Sequence, residues 1–300
     1  MNFWEYDTMQ IINGKKIRDE ILAKIKKEVA NLPFAPIFCD ILVGNNSSSW
    51  QYVKMKGKTA ESVGIKFQNA NFPASIDTEE LIKEIKILNK IPNMCGIILQ
   101  LPLPIHINRK EVLDAIDSHL DVDCLGSVAS EKFYSGSTAG EISFPTALAC
   151  IAVLDSLNLN LTKKNIVILG QGNLVGKPVT ALLKFRGLNP EIIRSKTEHK
   201  EELIKKADVI ISGIGKGKYI TGDMIKRGAV LIDAGTSEEE GSIVGDVDLE
   251  SVKDKTSFVS PVPGGVGPVT VAMLLNNVLT VAKDLTPSPS PCQGEGRIHT

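Results

Sequence analysis

The chain has few of the residues that build metal sites and disulfide frameworks. Its 300 residues include five cysteines without a CxxC pair and four histidines without an HxxxH spacing. Structural zinc sites need closely spaced ligands of these types, and disulfide-stabilised secreted domains need a denser set of cysteines. We therefore expect reduced thiols in a cytoplasmic protein and no protein-bound metal.

An excess of one charge and long apolar runs are also missing. The formal net charge is −1, so nothing predicts a basic surface for nucleic acid or an anionic membrane. No uninterrupted apolar run reaches the roughly 18 residues of a membrane span. The start, MNFWEYDTMQ, lacks the basic segment and apolar core of a secretory signal. We expect neither a nucleic-acid partner nor a membrane partner.

Apolar runs alternate with amphipathic stretches along most of the chain. The segments 37–44, 95–104 and 164–170 have the composition of buried strands, and 77–90 has helical apolar spacing with Asp77 or Thr78 as its cap. Alternating strands and helices favour parallel sheets covered by helices. The chain is long enough for two domains. We predict two α/β domains whose parallel sheets flank a cleft, the second domain being Rossmann-like.

The domain boundary is predicted near residues 140–150. Residues 9–145 form the first domain, 146–266 form the second, and the apolar helix predicted at 267–283 is expected to pack back on the first. The ends, 1–8 and 285–300, are predicted to be disordered, since the C-terminal end is rich in Pro, Ser and Gly and lacks apolar periodicity.

A glycine-rich turn in the second domain indicates a dinucleotide site. The stretch ILGQGNLVGKP places Gly170, Gly172 and Gly176 between a predicted strand and a predicted helix. Gly170 permits a tight turn, Gly172 lets the backbone approach a diphosphate, and the helix N-terminus offers free N–H groups and a positive dipole end. An ordinary strand–helix turn is the alternative, because a glycine motif alone is a weak signal.

The end of the next predicted strand indicates which dinucleotide binds. NAD sites usually carry an acidic residue there, which binds the ribose 2′-hydroxyl. This chain has Arg194, Ser195 and Lys196 instead. Two cations and a hydroxyl suit a 2′-phosphate, so NADP is favoured, NAD remains open as the alternative, and a solvated strand end is the other interpretation.

Polar residues of the first domain are predicted to meet at one edge of its sheet. Tyr52 and Lys56 lie one helical turn apart, Gln100 directly follows an apolar strand, and Asp121 and Asp123 lie in LDVDC. Ligands of open α/β sheets bind beyond the carboxyl ends of strands. A lysine buried beside an aromatic ring is suited to move protons. Taken singly, these residues also suit a solvated lysine, a loop-capping glutamine and a turn.

Seven segments in the same order resemble one family. They are VGNNSSSWQYVKMKGKTAESVGI, GIILQLPLP, LDVD, GQGNLVGKP, GDMIKRGAVLIDAG, VGDVD and PVPGGVGPVTVAMLL, within residues 11–283. The chain thus resembles the bifunctional methylenetetrahydrofolate dehydrogenase/methenyltetrahydrofolate cyclohydrolase family. The resemblance implies NADP-dependent oxidation of 5,10-methylenetetrahydrofolate, hydrolysis of the methenyl product to 10-formyltetrahydrofolate, tetrahydrofolate derivatives as ligands, and a homodimer.

The same resemblance implies roles for individual residues. Lys56 is the catalytic lysine, Tyr52 stacks on the folate and screens the lysine, and Gln100 orients it. Asp123 grips the amino group and ring N–H of the pterin. The implied substrate-binding set also includes Leu101, Pro263, Gly264 and Gly265, and the implied cofactor contacts are Gly170, Gln171, Gly172, Ser195 and Thr236. Gly176 and Arg194 join the cofactor-binding set from the glycine turn and the strand end described above.

The chain departs from the family pattern at several positions, and Cys124, Ala147 and Gln171 bear most on activity. A side chain at position 124 is expected to crowd the pterin or shift its loop, and Ala147 belongs to a stretch expected to border the cleft. Two alternatives therefore stay open: a catalytically impaired folate- or nucleotide-binding homologue, and an unrelated NADP-linked dehydrogenase.

Overall fold

The protein is described by a computed structural model, which covers residues 9–136, 142–239 and 241–286. Its first half contains a three-stranded parallel sheet in the order β3-β2-β4. The elements in chain order are β1 (Gln10–Ile11), α1 (Gly14–Val29), β2 (Ile37–Val43), α2 (Ser47–Ser62), β3 (Lys66–Phe72), α3 (Thr78–Leu88), β4 (Met94–Leu99), α4 (Arg109–Asp114) and α5 (Ser127–Tyr134).

The second half contains a six-stranded sheet in the order β1-β11-β8-β7-β5-β6, parallel throughout. A short antiparallel hairpin of β9 and β10 stands beside it. The elements are α6 (Pro145–Asp155), β5 (Ile166–Leu169), α7 (Gly176–Phe185), β6 (Glu191–Ile193), α8 (Lys200–Lys206), β7 (Val209–Ser212), β8 (Ala229–Asp233), β9 (Ser237–Glu239), β10 (Ser242–Val244), α9 (Leu249–Val252), β11 (Thr256–Ser260) and α10 (Val266–Asp284).

The central strands are short apolar runs because helices cover both faces of a parallel sheet. Every residue of β4, β5, β7 and β8 is buried, whereas β3 at the edge of the small sheet is largely half-buried. Helix α3 begins with Asp77 as its N-cap, whose side chain accepts from the Glu80 N–H at 2.8 Å. These elements confirm the predicted α/β fold with two parallel sheets.

Helix α10 has the length and composition of a membrane span, although polar residues interrupt its apolar sequence. Its 19 residues have a mean hydropathy of 1.3, enough by length and composition to cross a membrane, yet most of the helix is buried. It packs on α1 and β4 of the first half and on α6 of the second. The buried Asn277 amide donates to the carbonyls of Val122 at 2.8 Å and Ser143 at 2.6 Å, which ties the two halves together.

The chain ends differ in detail from the sequence expectation. Strand β1, placed in the first domain by its position, pairs with β11 of the second sheet. The predicted disordered tails 1–8 and 287–300 lie outside the described residues. Leu285 and Thr286 complete α10, because the Leu285 N–H donates to Val281 and the Thr286 hydroxyl donates to Ala282.

Candidate active site

A cleft of about 850 Å³ lies between the two sheets. Tyr52 and Met55 of α2 form one wall. The facing wall comes from loops that follow β5, β7, β8 and β11 at the carboxyl ends of these strands, where α/β proteins bind ligands. Of the residues predicted for the site, the cleft is lined by Tyr52, Gly172, Thr236, Pro263 and Gly264.

Lys56 lies directly behind Tyr52. Its side chain is 2% exposed, and its Nζ lies 4.8 Å from the centroid of the Tyr52 ring. Helix α2 places the two on one side because residues four apart share a helix face. The start of α2 is fixed by Asn46, whose side chain accepts from the Ser49 N–H at 2.9 Å. A buried amine behind an aromatic ring therefore borders the cleft.

Gln100, which directly follows β4, holds Lys56 by a hydrogen bond. The Lys56 ammonium donates to Gln100 Oε1 at 2.8 Å, and Gln100 Nε2 donates to the Leu101 carbonyl at 2.9 Å. Because a carbonyl oxygen only accepts, Leu101 fixes which end of the amide faces the lysine. Leu101 is not among the residues that line the cleft, so its backbone acts through Gln100.

Asp40 was not predicted from the sequence, yet it is the nearest charged group to Lys56. Its Oδ2 lies 2.6 Å from Lys56 Nζ, and the Asp40 side chain is 0% exposed. Burial raises the pKa of Asp40 to about 6, against the opposing attraction of Lys56. The signal in the sequence is a charged residue inside the apolar run IFCDILV of β2.

Asp123 and Asp121 occupy the loop between α4 and α5 in different ways. Burial raises the pKa of Asp123, while the nearby Lys56 charge opposes that rise. Asp121 Oδ2 accepts from the Gly126 N–H at 2.7 Å, and burial raises the pKa of Asp121 to about 7. Asp121 thus stabilises the loop, whereas Asp123 shares the electrostatic environment of Lys56.

Cys124 does not crowd the cleft. Its side chain is buried in the core with Ala129 and Phe133, and its thiol donates to the Ala129 carbonyl at 3.4 Å. The backbone has φ of 60° there, in the left-handed region that favours glycine. Ala147 is likewise buried in the core, and its neighbour Thr146 lines the cleft.

The loop of Pro263, Gly264 and Gly265 contributes two of these three predicted residues to the cleft. Pro263 and Gly264 line it, but Gly265 is buried at the start of α10. The N-terminus of α1 packs backbone to backbone on this loop, since a Cβ at Gly14 would lie 1.8 Å from the Gly265 carbonyl oxygen. Gly265 therefore acts in packing rather than as a cleft wall.

The glycine turn after β5 has the geometry that a diphosphate site needs. Gly170 has φ of 89°, and a Cβ at Gly176 would lie 2.1 Å from the Gly170 carbonyl oxygen. A Cβ at Gly172 would meet nothing within 4 Å, so this backbone is open to a ligand. The Gln171 side chain turns away and donates to Gly170 and to Thr180.

Arg194 and Ser195 are exposed beside that turn. The Gly170 N–H donates to the carbonyl of Ile193 at 2.9 Å, which places the residues after β6 next to the glycine loop. The Arg194 N–H donates to Thr197 at 2.8 Å, which forms the turn that carries both side chains. The open backbone and adjacent cation fit a dinucleotide with a 2′-phosphate.

Further cleft residues were not predicted from the sequence. Some of them come from the loop after β7, which is held by Asp246: this carboxylate accepts from Ser212 Oγ and from the N–H groups of Ile214 and Lys216. The motif VGDVD, which includes Asp246, marks this support. The additional lining residues are Lys15, Arg18, Asn173, Leu174, Gly213, Gly215 and Ile243.

Comparison with known proteins identifies both halves of the chain. The family model described as "Tetrahydrofolate dehydrogenase/cyclohydrolase, catalytic domain" matches residues 12–123, and that of the corresponding NAD(P)-binding domain matches residues 145–286. The "Bifunctional protein FolD" of Clostridium botulinum (strain Alaska E43 / Type E3) is 39% identical over 279 residues, which cover 92% of this chain and 98% of that protein.

Solved structures agree with the sequence matches. The bifunctional FolD enzyme of Campylobacter jejuni is 35% identical, with a TM-score of 0.87 over 92% of this chain and 99% of its own. The Trypanosoma brucei enzyme, solved with NADP cofactor and an inhibitor, is 31% identical, with a TM-score of 0.85 over 92% of this chain and 98% of its own.

Proposed function

The chain belongs to the tetrahydrofolate dehydrogenase/cyclohydrolase family, and we propose that the cleft between its two sheets carries out both reactions of this family. It oxidises 5,10-methylenetetrahydrofolate with NADP and hydrolyses the resulting 5,10-methenyltetrahydrofolate to 10-formyltetrahydrofolate. The observation that carries this proposal is the buried Lys56, held by Gln100 and Asp40 behind Tyr52. Tyr52 lines a cleft that extends to the open backbone of Gly172.

The oxidation step mainly requires orientation. A bound dinucleotide supplies the hydride acceptor. In this proposal Gly170, Gly172 and Gly176 hold its diphosphate through the turn and the N-terminus of α7, while Arg194 and Ser195 bind the 2′-phosphate. Thr236 lies exposed in the same cleft and contacts the cofactor from the loop after β8. Gln171 contributes its backbone, because its side chain is engaged with Thr180.

The pterin is held by the first half of the chain. A carboxylate that accepts two N–H bonds from one ring system gives a charge-assisted bidentate grip, and we assign this role to Asp123. Tyr52 stacks on the folate from α2, and Pro263 and Gly264 close the opposite side. Alignment of the reacting carbon with the cofactor accounts for much of the barrier reduction in such a step.

The hydrolytic step requires proton transfer at a cation. The methenyl substrate is positively charged, and the cluster around Lys56 contains two carboxylates, Asp40 and Asp123, against one ammonium. Preorganised negative charge stabilises the bound cation. Lys56, in its neutral form, accepts a proton from the attacking water and returns one to the departing ring nitrogen.

Assembly, location and domain limits belong to the same proposal. We infer a homodimer that works in the cytoplasm on tetrahydrofolate derivatives, with a folate-binding domain of residues 9–145 joined by α10 and a dinucleotide-binding domain of residues 146–266. The contacts of α10 with α1 and β4 support the return of this helix to the first domain.

The proposal is tested by turnover of 5,10-methylenetetrahydrofolate with NADP and with NAD in parallel. Acid treatment converts the formyl product to the methenyl form, so absorbance counts both reactions. We expect turnover with a preference for NADP. Folate binding without turnover would instead favour a catalytically impaired homologue, and absence of folate binding would favour an unrelated dehydrogenase.

A further inference from the structure

Asp40 is a carboxyl group buried in the middle of a β-strand. It lies in the middle of β2, between Cys39 and Ile41, both of which are 0% exposed. Its Oδ2 lies 2.6 Å from Lys56 Nζ as an ion pair whose angles are not those of a hydrogen bond, and its Oδ1 has no hydrogen-bond partner among the described residues. Burying a carboxylate with an unsatisfied oxygen costs free energy. Packing alone therefore does not explain an aspartate at this position.

Three groups surround the Lys56 ammonium, and only one of them can accept its proton. Its ammonium contacts Asp40 Oδ2 on β2, Gln100 Oε1 after β4 and the face of the Tyr52 ring. Gln100 is fixed by the Leu101 carbonyl and presents only a lone pair, so it cannot take up a proton. Asp40 is therefore the proton-accepting group in direct contact with the lysine.

We propose that Asp40 is a positioning residue of the hydrolytic step, which holds the proton of Lys56 so that the amine can act as a base on water. This inference rests on the proposed function and assigns Asp40 no part in hydride transfer. Shifting a proton across the 2.6 Å contact converts the ion pair into a neutral amine and a carboxylic acid. Burial favours that neutral pair over the two charges.

Hydrolysis removes two protons from the attacking water, and Asp40 provides a second site that holds a proton during the reaction. Water adds to the methenyl carbon, the carbon–oxygen bond forms, and neutral Lys56 takes one proton. That proton goes to the ring nitrogen as its bond to carbon breaks. The carbinol hydroxyl loses the second proton as the formyl C=O forms. Lys56 receives it, and Asp40 then releases one proton to solvent, which restores the ion pair and accounts for the one proton liberated per turnover.

Titration of Asp40 depends on every charged group around it. Lys56 faces it from α2, Asp123 from the loop between α4 and α5, Tyr52 from α2, and Cys39 is its neighbour on β2. Burial raises the pKa of Asp40 to about 6, the Lys56 charge opposes this, and the Asp123 charge adds to it. As the pH falls through about 6, Asp40 becomes protonated and can no longer accept the lysine proton, so hydrolysis falls.

The test separates the two reactions in Asp40→Asn. Asparagine keeps an oxygen for Lys56 but cannot accept a proton. We expect hydrolysis of methenyltetrahydrofolate at pH 7.5 to fall by about a hundredfold and the decline of the hydrolysis rate near pH 6 to disappear. Dehydrogenase kcat, measured with the same preparation, should fall by less than about tenfold, because hydride transfer needs no proton acceptor. A pH-dependent decline caused by Asp123 would persist and would affect both reactions.

Two further variants keep the outcome decisive. Cys39→Ala perturbs the same buried strand without removing the carboxylate, so it should leave the pH profile of hydrolysis unchanged. In Asp40→Asn/Lys56→Met, hydrolysis should be no lower than in Lys56→Met alone, because Asp40 acts through the lysine.

Unchanged hydrolysis and an unchanged pH profile in Asp40→Asn would overturn the inference. An equal loss of both activities with a lowered melting temperature, shared by Cys39→Ala, would assign Asp40 a purely structural role and overturn it as well. If the unmodified chain itself turned over neither folate, the proposed function would fail instead, and the two failures are thus distinguishable.

Discussion

At the scale of single residues, the site is defined by how charge is arranged around one lysine. Lys56 meets a carboxylate, an amide oxygen and an aromatic face within one buried cluster. Desolvation, together with the Asp123 and Asp40 charges, raises the pKa of Tyr52 to about 12. The tyrosine hydroxyl therefore stays neutral in the physiological range, and its ring serves as a screen.

Arg194 is the residue on which cofactor choice is predicted to depend. Arg194→Ala should weaken NADP binding by about 1.5–3 kcal/mol, since a charge-assisted contact to a phosphate is lost. NAD binding should change little, because NAD lacks the 2′-phosphate. Titration of both cofactors against the folded protein measures the difference.

Arg186→Ala is the matched control for that titration. Arg186 lies at the far end of α7 and pairs with Asp155 at 2.7 Å. The Arg186→Ala variant should leave the affinities for NADP and NAD unchanged. An equal loss of NADP and NAD affinity in Arg194→Ala would show that Arg194 does not bind the 2′-phosphate.

The sequence predicts the proximity of side chains where spacing along the chain carries the information. One helical turn brings Tyr52 and Lys56 together, and Gln100 follows its strand directly. Asp40 was missed because its partner lies on another element, and no local pattern reveals that the two meet. The direction of the Gln171 side chain was also inaccessible, since it depends on Thr180 in the next helix.

At the scale of elements, the turn between β5 and α7 contains one glycine that close packing requires and another whose backbone is open to a ligand. Gly176→Ala places a Cβ 2.1 Å from the Gly170 carbonyl oxygen, whereas Gly172→Ala meets nothing within 4 Å. We predict that Gly176→Ala lowers the free energy of unfolding by about 1–3 kcal/mol. Gly172→Ala should change it by less than about 0.5 kcal/mol but weaken dinucleotide binding.

Urea unfolding and NADP titration of the two variants check this division. Each variant is the control for the other, because both add one methyl group to the same turn. Unimpaired NADP binding in a folded Gly172→Ala protein would contradict the assignment of this backbone to the diphosphate.

Elements were predictable where burial imposes a uniform composition. The strands β4, β5, β7 and β8 are continuous apolar runs because both of their faces are covered. Strands β1 and β11 escaped prediction. β1 has two residues, and β11 reads TSFVS, so their pairing depends on the tertiary fold rather than on local pattern.

At the scale of the whole molecule, buried carboxyl groups couple stability to pH. Burial raises the pKa values of Asp40 and Asp233 to about 6 and that of Asp121 to about 7, from an ordinary value of 3.8. Between the ordinary and the raised values the folded protein binds more protons than the unfolded chain. The free energy of unfolding therefore rises as the pH falls through this window.

We predict a gain of about 3 kcal/mol in the free energy of unfolding between pH 7.5 and pH 5.5. The carboxyls whose pKa values are lowered, such as Asp114 and Asp208, are ionised in both states over this range and do not oppose it. Urea unfolding at the two pH values measures the gain, and Asp121→Asn should reduce it. A loss of stability on acidification to pH 5.5 would contradict the assignment of these carboxyls.

The central claim is that one cleft carries two reactions and that Lys56 serves the hydrolysis. The most direct measurement compares hydrolysis of methenyltetrahydrofolate and NADP affinity in Lys56→Met. Lys54→Met is the matched control, because Lys54 is on the same helix and exposed. We predict that hydrolysis falls by at least about a hundredfold in Lys56→Met while NADP affinity is retained, and that Lys54→Met changes neither. Hydrolysis at the rate of the unmodified protein in Lys56→Met would contradict the claim.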